Sequence, residues 1–266
     1  MLKQFKKSKE VTIGNVKIGG DNPLAIIAGP CIIEEDNTYR IAKKIAAISK
    51  EIKVPFIFKC SWDKANRTGI NGYRGIGKEA AIEMFEKIKK DFNVPILTDV
   101  HIPDQAKEFG EVVDILQVPA FLMRQTDMLV AAGKYGKAVN IKKAQFVSPF
   151  EMEKVVKKVE STGNKNILVT ERGTCFGYDT LVVDMRSLVI LRKLGYPLVF
   201  DSTHSIRMEN YPEHQKEFII PVSKGAIGVG VEALFIEVHD CMDKALCDAK
   251  WMLEMKDLKP FLEEIK

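Results

Sequence analysis

Three cations and an amide, Lys59, Lys64, Asn66 and Arg67, stand within nine residues of the stretch Pro55-Phe-Ile-Phe-Lys-Cys-Ser-Trp-Asp-Lys-Ala-Asn-Arg-Thr-Gly69. Positive groups so close repel one another unless an anion sits among them, and their donors match the oxygens of phosphate or carboxylate. The chemistry implied is capture of a compact anion. Taken singly, each side chain reads equally well as a solvated charge or as half of a surface ion pair.

The pattern recurs along the chain. Short apolar runs without polar alternation, as strands covered on both faces require, are each followed by an amphipathic segment. The strands expected are Leu24–Cys31, Pro55–Ser61, Pro95–Val100, Ile115–Ala120, Ala138–Lys142, Ile167–Arg172, Pro197–His204 and Ala233–His239. Between them, Ile41, Ile45, Ile48 and Ile52 make one helical stripe, and Ala81, Phe85, Ile88 and Phe92 another. Ser148-Pro149-Phe150-Glu151 reads as a capping box with proline at the first helical position, while Gly163 and Gly195 sit where helices should stop.

Eight strand–helix units with no Gly/Ser/Pro-rich linker point to one α/β domain over residues 1–266, a closed (β/α)8 TIM barrel. An open doubly wound sheet is the alternative, but no Gly-x-Gly-x-x-Gly turn follows the first strand. Residues Val11–Gly19 read as a separate β-hairpin around Gly14-Asn15 that caps the core, within an N-terminal extension of 22 residues.

In such barrels the reactive groups lie at the C-terminal strand ends. Those ends carry Cys31, Lys59, Asp99 with His101, Gln117, Lys142, Arg172, His204 and Glu237. Two subsets separate by chemistry. Cys31, His204 and Glu237, with Asp248 eleven residues further on, mix thiolate, imidazole and carboxylates, which suits a divalent transition metal. Lys59, Lys64, Lys142 and Arg172 suit a ligand bearing both phosphate and carboxylate.

Composition closes other routes. A balance of 40 basic to 36 acidic residues, net +4, is too small and too evenly spread to argue for nucleic acid or a membrane surface. No apolar run is long enough to span a bilayer, and Met1–Glu10 has no apolar segment behind it, so the expected location is the cytoplasm. Five cysteines, odd in number and without zinc-finger spacing, fit reduced thiols.

Eight motifs occur in one order: Ala28-Gly-Pro-Cys31, Lys64-Ala-Asn-Arg67, Gln117-Val-Pro-Ala-Phe121, Arg124-Gln-Thr-Asp127, Asn140-Ile-Lys-Lys143, Thr170-Glu-Arg-Gly173, Asp201-Ser-Thr-His-Ser205 and Glu237-Val-His239. Together they resemble the 3-deoxy-D-manno-octulosonate 8-phosphate synthases, over about Leu24 to Asp248. The resemblance implies condensation of phosphoenolpyruvate with arabinose 5-phosphate on the route to lipopolysaccharide, by a homotetramer. It places Lys59, Lys64, Gln117, Lys142 and Arg172 on phosphoenolpyruvate, and Asn66, Arg67 and Thr68 on the sugar phosphate, with Arg124 reaching in from a neighbouring subunit. Cys31 places the chain in the metal-dependent class, with Cys31, His204, Glu237 and Asp248 holding Zn2+, Fe2+, Mn2+ or Co2+. Lys59, Asp99 and His204 are the expected catalytic groups, with His101 beside the substrates.

The chain departs from the family pattern at Gly69, often serine, and in Ile206–Lys216, which is shorter and lacks glycine. Asp240-Cys241-Met242-Asp243 also lacks the usual prolines. Two alternatives stand beside this reading: the related synthase that uses erythrose 4-phosphate, typically Lys-Pro-Arg-Thr at the position of Lys64-Ala-Asn-Arg67, and a non-catalytic phosphosugar-binding barrel.

Overall fold

The computed structural model describes residues 6–178, 180–208, 211 and 215–265. The chain opens with an antiparallel hairpin, β1 (Val11–Ile13) and β2 (Val16–Ile18), turned at Gly14 with φ +57°. Strand and helix then alternate: β3 (Ala25–Gly29), α1 (Thr38–Ile52), β4 (Phe56–Lys59), α2 (Lys78–Phe92), β5 (Ile96–Asp99), α3 (Pro103–Val112), β6 (Ile115–Val118), α4 (Thr126–Tyr135), β7 (Ala138–Lys142), α5 (Met152–Glu160) and β8 (Ile167–Glu171). A two-residue ribbon, β9 (Thr174–Cys175) with β10 (Leu181–Val182), precedes α6 (Met185–Arg192), β11 (Leu198–Asp201), α7 (Gln215–Val229), β12 (Ala233–His239), β13 (Leu253–Glu254) and α8 (Met255–Ile265).

Strands β3 to β8, β11 and β12 pair in parallel with their sequence neighbours, and β12 pairs with β3 to close the ring. This is the expected (β/α)8 barrel. β7 and β12 have the bounds the apolar runs suggested, whereas the other six strands of the ring are shorter. In particular, β11 stops at Asp201, so His204 lies in the turn beyond it rather than on the strand.

Side-chain parity divides each strand. Residues facing the helices, among them Ile26, Phe58, Ile96, Leu116, Val139, Val169, Phe200 and Ile236, join the apolar stripes of the helices in one large core. Residues of the other parity, Ala25, Ile27, Ile57, Leu97, Ile115, Ala138, Leu168, Val199, Ala233 and Phe235, fill the barrel interior. Val11, Ile13, Val16 and Ile18 of the hairpin pack into that same inner cluster, so the hairpin does cap the core. At about 25 cal/mol per Å² of apolar surface removed from water, this plug is a stabilising element rather than an ornament.

Helix ends follow the sequence with one difference. Gly163 and Gly195 take the left-handed φ expected of helix stops, +89° and +78°. Ser148 caps a 3-10 turn, Pro149–Glu151, that leads into α5, and its Oγ accepts from Phe150 N at 3.4 Å. The Glu151 carboxylate turns to Lys154 instead of back to the cap, so the reciprocal box is not formed.

Candidate active site

The strand parity that buries Ile57 and Leu97 near the hairpin carries Lys59 and Asp99 two residues later to the opposite end. The same step takes Ile115 to Gln117, Val199 to Asp201 and Phe235 to Glu237, so inward positions change from apolar to polar along the strand. They open into a cavity of about 620 Å³. Lys59, Lys64, Asn66, Arg67, Thr68, Asp99, Gln117, Lys142, Arg172, His204, Glu237 and Asp248 all line it, whereas Cys31 does not.

The surface-pair reading fails for the central cations. Lys59, Lys142 and Arg172 are buried, at 1%, 6% and 8% exposure. Lys59 Nζ donates to Glu237 Oε1 at 2.5 Å and to the Cys31 carbonyl at 3.0 Å. Burial disfavours its charge, but Glu237, Cys31 and Asp99 together outweigh this and raise its pKa. Lys142 donates to Asp201 and sits 3.4 Å from the Phe235 ring centroid. Burial lowers its pKa to about 8, against the pull of Asp201. Arg172 is also lowered by burial, and its Nη1 has no hydrogen-bond partner. An anion supplied from outside would satisfy it.

The anions that balance the cluster are in large part the chain's own. Burial raises the carboxyls of Glu237 and Asp201, but Lys59 and His204 bring the first well below its usual range, and His204 and Lys142 bring down the second. Asp99 is likewise lowered by His101, Lys64 and Lys59 against its burial. His101 Nε2 lies 3.1 Å from Asp99 Oδ2, behind the cavity wall rather than on it.

Asp201 organises the far side. It accepts from Lys142, from the backbone N–H groups of Thr203 and His204, and from His204 Nδ1 at 2.9 Å. That contact holds the His204 proton on Nδ1 and leaves Nε2 toward Glu237 Oε2, 3.3 Å away. Gln117 is aligned by a row across the strands: Asn140 Nδ2 donates to Gln117 Oε1 at 2.9 Å, and Thr170 Oγ1 donates to Asn140 Oδ1 at 2.6 Å. Two glycines permit close approach. A Cβ on Gly29 would lie 1.9 Å from the Lys59 carbonyl oxygen, and one on Gly173, at φ +88°, 2.6 Å from that of Ser205.

The four expected metal donors fall in two groups that share Asp248. His204, Glu237 and Asp248 form one cluster of donor atoms within 4.8 Å, and Cys31, Cys247 and Asp248 form another. Cys31 Sγ is 3.4 Å from Asp248 Oδ2. Glu237 Oε2 is buried and receives no hydrogen bond, which leaves an acceptor aimed into the cluster. Sulfur, imidazole and carboxylate are donor types that suit a divalent transition metal, and Asp248 links the two groups. Asp248 reaches its place from a left-handed backbone, φ +51°.

Arg124 stands apart. It is exposed and does not line the cavity. Of the loop 206–216, residues 209, 210 and 212–214 lie outside the described residues, and with them the question of a lid. The sequence reading passed over Asp201, Gln145, Cys175, Tyr178 and Arg207, of which the last four line the cavity, and Cys247 beside the donors. Parity could have found Asp201, which is inward like Lys59 and Asp99, but nothing local marks the others.

Residues 4–266 match the sequence profile described as the DAHP synthetase I family. The chain belongs to that family. Similar members include the "2-dehydro-3-deoxyphosphooctonate aldolase" of Geotalea uraniireducens, 48% identical over 263 residues and 97% of each chain. Those of the same name from Geobacter sulfurreducens, 46% identical over 264 residues and 97% of each chain, and Syntrophotalea carbinolica, 47% identical over 258 residues, 95% of this chain and 93% of that one, are close behind. The family therefore covers the barrel from hairpin to last helix. No helix among the described residues of this member is long and apolar enough to cross a membrane.

Proposed function

We infer that the chain is a carbon–carbon bond-forming enzyme that condenses phosphoenolpyruvate with arabinose 5-phosphate and water, giving 3-deoxy-D-manno-octulosonate 8-phosphate and phosphate. The observation that carries this is the set of three buried cations, Lys59, Lys142 and Arg172, around one cavity. Relatives that share nearly half the residues over almost the whole chain carry the aldolase name. The erythrose 4-phosphate reading is less supported, because Lys64-Ala-Asn-Arg67 has no proline.

The reaction joins C3 of the enol to the sugar aldehyde, adds water at C2 and releases phosphate by C–O cleavage. Lys59, Lys142 and Arg172, with Lys64 and Gln117, hold the carboxylate and phosphate of phosphoenolpyruvate as preorganised donors, and so stabilise charge without reorganising. Lys64 is well suited to hold an anion, since Cys31, Asp99 and Glu237 outweigh its burial and raise its pKa well above the usual value. Asn66, Arg67 and Thr68 on the cavity rim receive the sugar phosphate, and exposed Arg124 is free to serve a neighbouring protomer in a homotetramer. Asp99, backed by His101, and His204, backed by Asp201, are the groups placed to hold or move a proton.

Cys31, His204, Glu237 and Asp248 would hold a divalent metal, Zn2+, Fe2+, Mn2+ or Co2+. When bound, it would supply Lewis-acid polarisation of the aldehyde oxygen or of water. The test is phosphate release from phosphoenolpyruvate with arabinose 5-phosphate or erythrose 4-phosphate, before and after chelation. Turnover with the five-carbon sugar alone, lost on chelation and restored by a divalent metal, is expected. Turnover with erythrose 4-phosphate alone would overturn the substrate, full activity after stripping would overturn the metal, and silence with both sugars would favour a binding protein.

A further inference from the structure

Cys31 leaves β3 at the open end of the barrel, and Cys247 lies 216 residues later in the loop between the 3-10 turns Met242–Lys244 and Ala249–Trp251. Their sulfurs are 3.0 Å apart, both residues are buried, and neither is bonded to the other. A disulfide needs about 2.05 Å between sulfurs. The remaining approach is about one ångström, within reach of a loop anchored by short turns rather than by a strand.

We propose that Cys31 and Cys247 are a disulfide-forming pair, a reversible covalent modification site that a peroxide closes. Arg67 Nη1 donates to Cys247 Sγ at 2.6 Å, which holds that sulfur beside Cys31. Arg67, the hydrogen-bond partner of Cys247, and Asp248, its neighbour in sequence, both line the cavity, the side from which a small oxidant would approach. The Cys247 thiol takes one oxygen from hydrogen peroxide and becomes a sulfenic acid while water leaves. The Cys31 thiol then displaces the sulfenic hydroxyl, forming the S–S bond and a second water. Two thiols are oxidised by two electrons and the peroxide is reduced by two.

The other cysteines lack such a neighbour. Cys60 is fully buried, with Sγ directed at the Ser61 carbonyl 3.7 Å away, whereas Cys175 and Cys241 are exposed. Closure takes Cys31 out of the donor cluster it shares with Asp248. It needs the two thiols alone and stands whether or not the proposed condensation is the reaction.

Chelator-treated full-length protein is exposed to hydrogen peroxide, alkylated in denaturant, digested with trypsin and mapped by mass. The expected product joins the peptide Ile18–Arg40 to Ala245–Lys250 and returns to two free peptides after dithiothreitol. It is absent in Cys247→Ser, and preloading with Zn2+ slows its formation, since the metal would engage the Cys31 sulfur. Recovery of both wild-type peptides singly alkylated, or singly oxidised to sulfinic or sulfonic acid, would overturn the pair without bearing on phosphate release. A cross-link that forms in Cys247→Ser from Cys31 to another thiol would overturn it too.

Discussion

The two ends of the barrel are built from the same eight strands and do opposite work. At the hairpin end, inward positions are Ala25, Ile57, Leu97, Ile115, Ala138, Leu168, Val199 and Ala233, sealed by Val11, Ile13, Val16 and Ile18. At the other, two or four residues along, they are Lys59, Asp99, Gln117, Lys142, Asp201 and Glu237, all buried. Burying charge costs far more than burying methyl groups unless each charge is paired, and Lys59–Glu237 and Lys142–Asp201 are paired. The apolar end carries the stability that lets the charged end keep groups chosen for chemistry.

Substitutions can test that division, beginning with the largest effect. Lys59→Met removes a donor from the cavity and leaves Glu237 buried without its partner. We expect kcat/KM to fall by about 10²–10³-fold or more, with a stability loss of about 3–5 kcal/mol in urea unfolding. Ile57→Ala, two residues away on the same strand, opens a void and should cost about 2–5 kcal/mol of stability. Its kcat per folded molecule should remain near wild type. A fall in kcat as deep as that of Lys59→Met would show that the two ends cannot be separated.

A pH series addresses Lys142, whose pKa is about 8 in the folded chain and 10.5 ordinarily. As pH rises through 8 the folded protein loses this cation, so the KM for phosphoenolpyruvate should climb, a limb that Lys142→Arg should lack. The stability trend runs the other way. Between pH 8 and 10.5 the unfolded chain holds the proton that the folded chain has shed, so this group makes stability rise with pH, readable as the urea midpoint. The smallest effect belongs outside both ends: Lys157→Ala, on an exposed ion pair with Glu153, should shift stability by no more than about 0.5 kcal/mol and leave turnover alone.

Much of the architecture was legible because it rests on local rules. Two-sided burial of parallel strands makes them continuous apolar runs, and glycine marks helix ends where φ turns positive, as at Gly163 and Gly195. The capping box at Ser148 was over-read, because an exposed Glu151 is as well served by Lys154 as by the helix terminus. The donor set Cys31, His204, Glu237 and Asp248 was nameable through resemblance. Cys247 was not, since its meaning lies in a neighbour 216 positions away.

The sequence by itself determined the strand–helix alternation, the hairpin and the residue types at the strand ends, because periodicity and turn chemistry act over a few residues. Only the tertiary structure decided which of those ends are buried cations, that Asp201 joins Lys142 to His204, and that two cysteines meet. Those properties depend on ring closure, which sets distances between strands, and on desolvation, which no single segment can report about itself.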